Sequence, residues 1–265
     1  MNPEQGVILA FNKPYRWTSF NLVAKVRGEL SHRLGVKKLK VGHAGTLDPL
    51  ATGVLLICTG KATKQIDRLQ AGTKEYVASI KLGATTPSFD METPEDAQYP
   101  TAHITQELIN KVLARFVGEI HQVPPTYSAV KVDGKRAFKY ARTGETVELK
   151  PKLLVIDELQ LLEWGMTTAG PLSADADAKE RIRYQQGNLS EPYLQLVVRV
   201  VCSKGTYIRA LARDIGQALG SGAYLTGLVR TRIGDYRLAD CLDIEHFSEW
   251  LDTQQIINNH TNNNQ

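Results

Sequence analysis

The chain predicts a mixed α/β (α+β) fold, a largely antiparallel sheet flanked by helices. Three observations predict it. Stretches of helical and strand periodicity are interspersed along the chain rather than segregated. Several strand candidates lie close enough in sequence to pair as hairpins. The runs that mark nucleotide-binding parallel sheets are missing: there is no G-x-G-x-x-G, and Gly60-Lys61 leads into Ala62, not into a Walker serine or threonine.

The elements follow in order. Val7–Phe11 reads as a short apolar strand stopped by Asn12-Lys13-Pro14. Thr18-Ser19 caps a helix whose Leu22, Val23, Val26 and Leu30 share one face, with Gly35 beyond its end. Val54–Cys58 reads as a buried strand closed by Gly60. Tyr76–Leu82 alternates, with Tyr76, Ala78, Ile80 and Leu82 on one face. Ile104, Leu108, Ile109, Val112, Leu113 and Phe116 form a helical stripe running to Gly118. Ala129–Lys135 is a hairpin turning on Asp133-Gly134. Leu153–Leu162 and Leu194–Cys202 read as strands, and Leu211, Ile215 and Leu219 as a helix closed by Gly220. The polar stretch 165–190 reads as a loop insertion, and 251–265 as a polar C-terminal tail, leaving 1–250 as one domain.

With 265 residues, 42% hydrophobic and 23% charged, the composition excludes a disordered or collagen-like chain and allows a substantial core. No apolar run approaches the roughly 18 residues that span a bilayer. Met1–Gly6 lacks a basic n-region, so a soluble, cytoplasmic protein with no membrane association is expected. Cys58, Cys202 and Cys241 are too few and too far apart for a disulfide framework or a zinc site. The net charge of +4 is mild, but its distribution is uneven. Lys25, Arg27, Arg33, Lys37, Lys38 and Lys40 face one acid, Glu29. Arg199, Lys204, Arg209, Arg213, Arg230, Arg232 and Arg237 face Asp214 and Asp235. Two such clusters suggest a surface for a polyanion.

The chemistry concentrates in Gly42-His43-Ala44-Gly45-Thr46-Leu47-Asp48-Pro49-Leu50-Ala51-Thr52-Gly53-Val54-Leu55. Locally, Asp48-Pro49 reads as a helix N-cap followed by proline at the first helical position. The whole fourteen-residue string resembles the catalytic segment of the TruB family of tRNA pseudouridine synthases. The resemblance continues through Lys74-Glu75-Tyr76 with Leu82-Gly83 and Ser88-Phe89-Asp90, and through Gln122–Lys131 with Gly134-Lys135-Arg136-Ala137. It extends through Cys202–Arg209 to Leu228-Val229-Arg230-Thr231, covering about residues 7 to 246.

The resemblance implies a pseudouridine synthase catalytic fold and an isomerase acting on the T-loop uridine, position 55 in tRNA numbering. It implies no cofactor and no metal. Asp48 becomes the catalytic group, attacking ribose C1′ or removing a C2′ proton; an aspartate suits positive character at an anomeric carbon. A carboxylate in a dry pocket needs a fixed cation to stay ionised, and the resemblance offers Arg209. Tyr76 would stack on the uracil, with Tyr207 and Leu228 as pocket walls. His43 would fill the space left by the extruded base. Extrusion is needed because C1′ and C5 are out of reach in a stacked loop. The expected partner is the T-arm of tRNA, with no obligatory protein partner and a monomeric chain. Many relatives carry a C-terminal PUA-type domain, and about twenty residues after His246 are too few for one. The competing readings are a non-catalytic tRNA-folding helper and the catalytic subunit of an RNA-guided synthase.

Overall fold

The computed structural model describes residues 1–145, 147–167 and 192–257. Most of the expected 165–190 insertion and the end of the polar tail lie outside these residues. Gly165 and Met166 themselves end a strand, Lys152–Met166. The chain divides into two compact units, one of Met1–Lys74 with Val229–Gln265 and one of Glu75–Leu228. The strand Ala223–Ile233 contributes residues to each. Pairing is mixed and largely antiparallel, as expected.

In the first unit the strand Ile8–Lys13 pairs antiparallel with Ala51–Thr59 and, on its other edge, parallel with Leu242–Asp243. Val41–Ala44 also pairs with Ala51–Thr59. Alternation turns Leu9, Phe11 and Lys13 inward. The helix Ser19–Leu34 starts from a Thr18/Asn21 capping box and ends at Gly35 in a left-handed conformation. Its Leu22, Val23, Val26 and Leu30 pack on Phe11, Leu55 and Ile57. Phe247 closes this core edge-on to Phe11 at 5.0 Å.

In the second unit Lys152–Met166 pairs antiparallel with Leu194–Cys202 and with Gly118–Gln122. Lys74–Leu82 lies next to Leu194–Cys202 in the strand order. The helix Gln106–Ala114, capped by Thr105, stops short of Gly118, which opens the next strand. Ile208–Ala218 buries Ile208, Leu211 and Ile215. The hairpin at 131–136 turns as expected, with Asp133 and Gly134 at φ 49° and 78°.

Candidate active site

Asp48 stands half-buried on the loop between the strands Val41–Ala44 and Ala51–Thr59. It does not cap a helix. Its carbonyl accepts from the Ala51 N–H at 3.1 Å, and the chain enters the apolar strand Ala51–Thr59 at once. Asp-Pro here initiates a turn, and strand pairing overrides the local helix signal. Gly53, at φ 100°, is required: a Cβ there would lie 2.2 Å from the Arg230 carbonyl oxygen.

Two buried cations pin this loop through its backbone. Lys13 is fully buried, and its Nζ donates to the carbonyls of Pro14 at 2.8 Å, Trp17 at 2.5 Å and Pro49 at 3.3 Å. Burial pushes its ammonium from 10.5 down to about 7; the nearby Asp48 carboxylate pulls it up and Arg230 adds to the depression. Arg230 is 1% exposed and donates to Gly45 O at 2.9 Å, Thr46 O at 3.4 Å and Val54 O at 2.8 Å. Ser19, the first residue of its helix, completes the frame. Its Oγ donates to Leu47 O and accepts from Leu47 N–H at 3.1 and 3.0 Å. Asp48 thus sits between residues whose backbones are held from three directions.

His43 pairs across to Ile57 in the register of its strand. Burial, then Arg230, lowers its pKa, which favours the neutral imidazole. Its Nδ1 is buried with no hydrogen-bond partner among the described residues.

The second unit holds Tyr76, Tyr207, Arg209 and Leu228. Tyr76 is 7% exposed on its strand, and Leu228 equally buried on Ala223–Ile233. Tyr207 is the N-cap of the helix Ile208–Ala218. Gln122 grips its backbone twice, accepting from Tyr207 N–H at 2.9 Å and donating to Tyr207 O at 3.1 Å. Arg209 is 5% exposed and faces Asp90 at 3.5 Å. Its guanidinium donates to Ser88 O at 3.1 Å and Tyr127 O at 2.9 Å. Asp90 is fixed in turn by Ser88 Oγ at 2.6 Å and Glu92 N–H at 2.9 Å. The segments around Ser88-Phe89-Asp90 and Gln122–Lys131 therefore serve as supports for Tyr207 and Arg209. Sequence reasoning missed Lys13, Asp90 and Gln122 as individuals, although the last two lie inside strings it singled out.

The second basic cluster is not one solvated surface. Arg209 and Arg230 are buried. Arg199 is paired with Glu75 at 2.6 Å and Glu158 at 2.5 Å, and Arg213 with Asp214 at 2.7 Å. Alternation and helix starts draw these groups inward, which charge counting cannot see. In the first cluster Lys25, Lys37, Lys38 and Lys40 do stay exposed. Among the described residues no group of three or more His, Cys, Asp or Glu is placed to hold a metal. None of their helices is long and apolar enough to cross a membrane.

Two family profiles match the chain. "TruB family pseudouridylate synthase (N terminal domain)" matches residues 32–208, and "tRNA pseudouridylate synthase B C-terminal domain" matches residues 209–260. A Bacteroides thetaiotaomicron protein named tRNA pseudouridine synthase B is 58% identical over 99% of this chain and 100% of its own length. A Flavobacterium johnsoniae protein of the same name is 44% identical over 95% and 100%. Among solved structures, a Cbf5-Nop10-Gar1 complex matches with a TM-score of 0.61 at 25% identity. That match covers 95% of this chain and 57% of the other.

Proposed function

The chain belongs to the TruB family of pseudouridylate synthases, and on that premise we propose that it isomerises the T-loop uridine of tRNA to pseudouridine with Asp48 as the catalytic group. The bond between ribose C1′ and uracil N1 breaks, the base turns, and C5 takes the place of N1. Asp48 acts at the sugar of a nucleotide drawn out of its stack, by attack at C1′ or by removing the C2′ proton. The proton on C5 leaves to solvent when the new bond is complete. No group is transferred to or from another molecule.

The observation that carries this reading is the state of the Asp48 loop. The loop is anchored by its carbonyls on Lys13 and Arg230, which leaves a half-buried carboxylate on a fixed backbone. Such preorganisation is what a transition state with charge at the sugar needs. Arg209 contributes a fixed guanidinium to substrate binding, its orientation set by Asp90, Ser88 O and Tyr127 O. Tyr76 stacks on the uracil, Tyr207 and Leu228 wall the pocket, and His43, neutral, fills the space vacated by the base. The partner is the T-arm of tRNA in the cytoplasm; the chain acts as a monomer without another protein.

A tRNA transcript tritiated at uridine C5 tests this. The protein should release tritium from the T-loop uridine, and Asp48→Asn should reduce release at least about a thousandfold while still binding tRNA. No release from a folded transcript, or undiminished release by Asp48→Asn, overturns the reading.

A further inference from the structure

Pro14–Trp17 forms a turn closed by Trp17 N–H to Pro14 O at 3.4 Å. Its third residue, Arg16, lies at φ 65°. This is the position of a type II turn where glycine fits best, because a side chain there is strained. Among the described residues only three non-glycines have positive φ: Arg16, Phe89 and Asp133. Asp133 serves the hairpin turn, and Phe89 precedes the Asp90 that faces Arg209. Arg16 serves the Pro14–Trp17 turn, where a glycine would do the same without strain. Its side chain is exposed and lies over the Tyr15 ring, 5.6 Å from the centroid.

The turn is fastened to the catalytic loop. The Arg16 N–H donates to Pro49 O at 2.8 Å, the oxygen that Lys13 also holds. One residue into the following helix, Ser19 is bonded to Leu47. The next residue, Phe20, is 68% exposed, although the core side of that helix is filled by Leu22, Val23 and Val26. A strained cation and an unburied aromatic ring therefore flank the loop that carries Asp48, both attached to its backbone within one residue.

We infer that Arg16 and Phe20 form a contact for the single-stranded RNA next to the reacting nucleotide, Arg16 on a backbone phosphate and Phe20 on the face of an unstacked base. The inference rests on the proposed function and deepens it. Stacking on an aromatic ring and a cation on the neighbouring phosphate is the usual combination for unpaired nucleotides. A nucleotide drawn out to reach Asp48 leaves a neighbour whose face has lost its partner, and Phe20 offers a replacement. The strain at Arg16 is then offset in the complex and not in the free protein.

The two roles separate experimentally. Arg16→Gly relieves the turn, so its melting temperature should equal or exceed that of the wild type. Its tRNA affinity should fall several-fold, and the slope of log K against log salt should drop by about 0.7 to 0.9, one phosphate contact. Arg16→Lys should keep the wild-type slope. Phe20→Ala should weaken binding about fivefold or more with the slope unchanged. Tritium release by the wild type is measured in parallel. If the wild type releases no tritium, the proposed function fails. If it releases tritium while Arg16→Gly and Phe20→Ala bind tRNA with wild-type affinity and slope, this inference alone is overturned and the patch serves something other than RNA.

Discussion

In the first unit the buried cations Lys13 and Arg230 direct their hydrogen bonds to backbone carbonyls, six oxygens between them. In the second unit Arg209 faces a carboxylate, Asp90, as well as two carbonyls. The difference is one of purpose. Carbonyl dipoles orient a cation without neutralising it, so the first arrangement shapes a loop and leaves a positive field around Asp48. A buried pair largely cancels its own field, so the second arrangement fixes where a guanidinium points. One unit holds backbone by means of charge, and the other holds a charged side chain by means of everything near it.

The largest effect that tests this contrast comes from Arg209→Met. Its single-turnover rate should fall about a hundred- to a thousandfold, with a smaller change in tRNA affinity. It also takes the facing cation away from the buried Asp90 carboxylate, which keeps only its neutral donors Ser88 Oγ and Glu92 N–H among those described, so unfolding in urea should show a loss of about 3 kcal/mol or more. Arg230→Met removes a cation whose hydrogen bonds among the described residues go to carbonyls, and its stability loss should be less, about 1.5–3 kcal/mol. Its rate should nevertheless drop, because Gly45 and Thr46 lose their anchor. If Arg230→Met destabilises more than Arg209→Met, or leaves the rate untouched, the contrast is wrong.

Much of the fold was legible because it is written in local periodicity. Tyr76–Leu82 and Leu194–Cys202 alternate, and the helix after Thr18 carries both its cap and its stop. The strand Ala223–Ile233 escaped notice because eight consecutive residues, 223–230, are buried and no alternation survives. The sequence singles out Asp48, but the setting of that residue was not legible. The same Asp-Pro chemistry starts helices and turns, and only pairing with distant Lys13 and Val41 strands decides between them. Lys13 was hidden in plain view. It is in phase with Leu9 and Phe11, the two core residues of its strand, yet a lysine before a proline reads as the end of an element. Arg230 was grouped with surface charge because nothing local announces that its strand is interior.

The smallest effect concerns pH and separates Lys13 from Arg230. An arginine keeps its proton throughout, whereas burial holds the Lys13 ammonium at about 7 against 10.5 in the unfolded chain. Below pH 7 both states carry the proton and Lys13 adds no slope. Between pH 7 and 10.5 the unfolded chain binds a proton that the folded protein does not, so stability rises with pH, by at most about 1.4 kcal/mol per unit. Urea unfolding at pH 6, 7, 8 and 9 reads this directly. Wild type should gain stability above pH 7 relative to Lys13→Met, and the difference should vanish in slope below it. A wild type whose profile parallels Lys13→Met across the range would mean that the three carbonyls and Asp48 hold the proton on Lys13 as firmly as water does. Both clamps of the Asp48 loop would then be permanent charges.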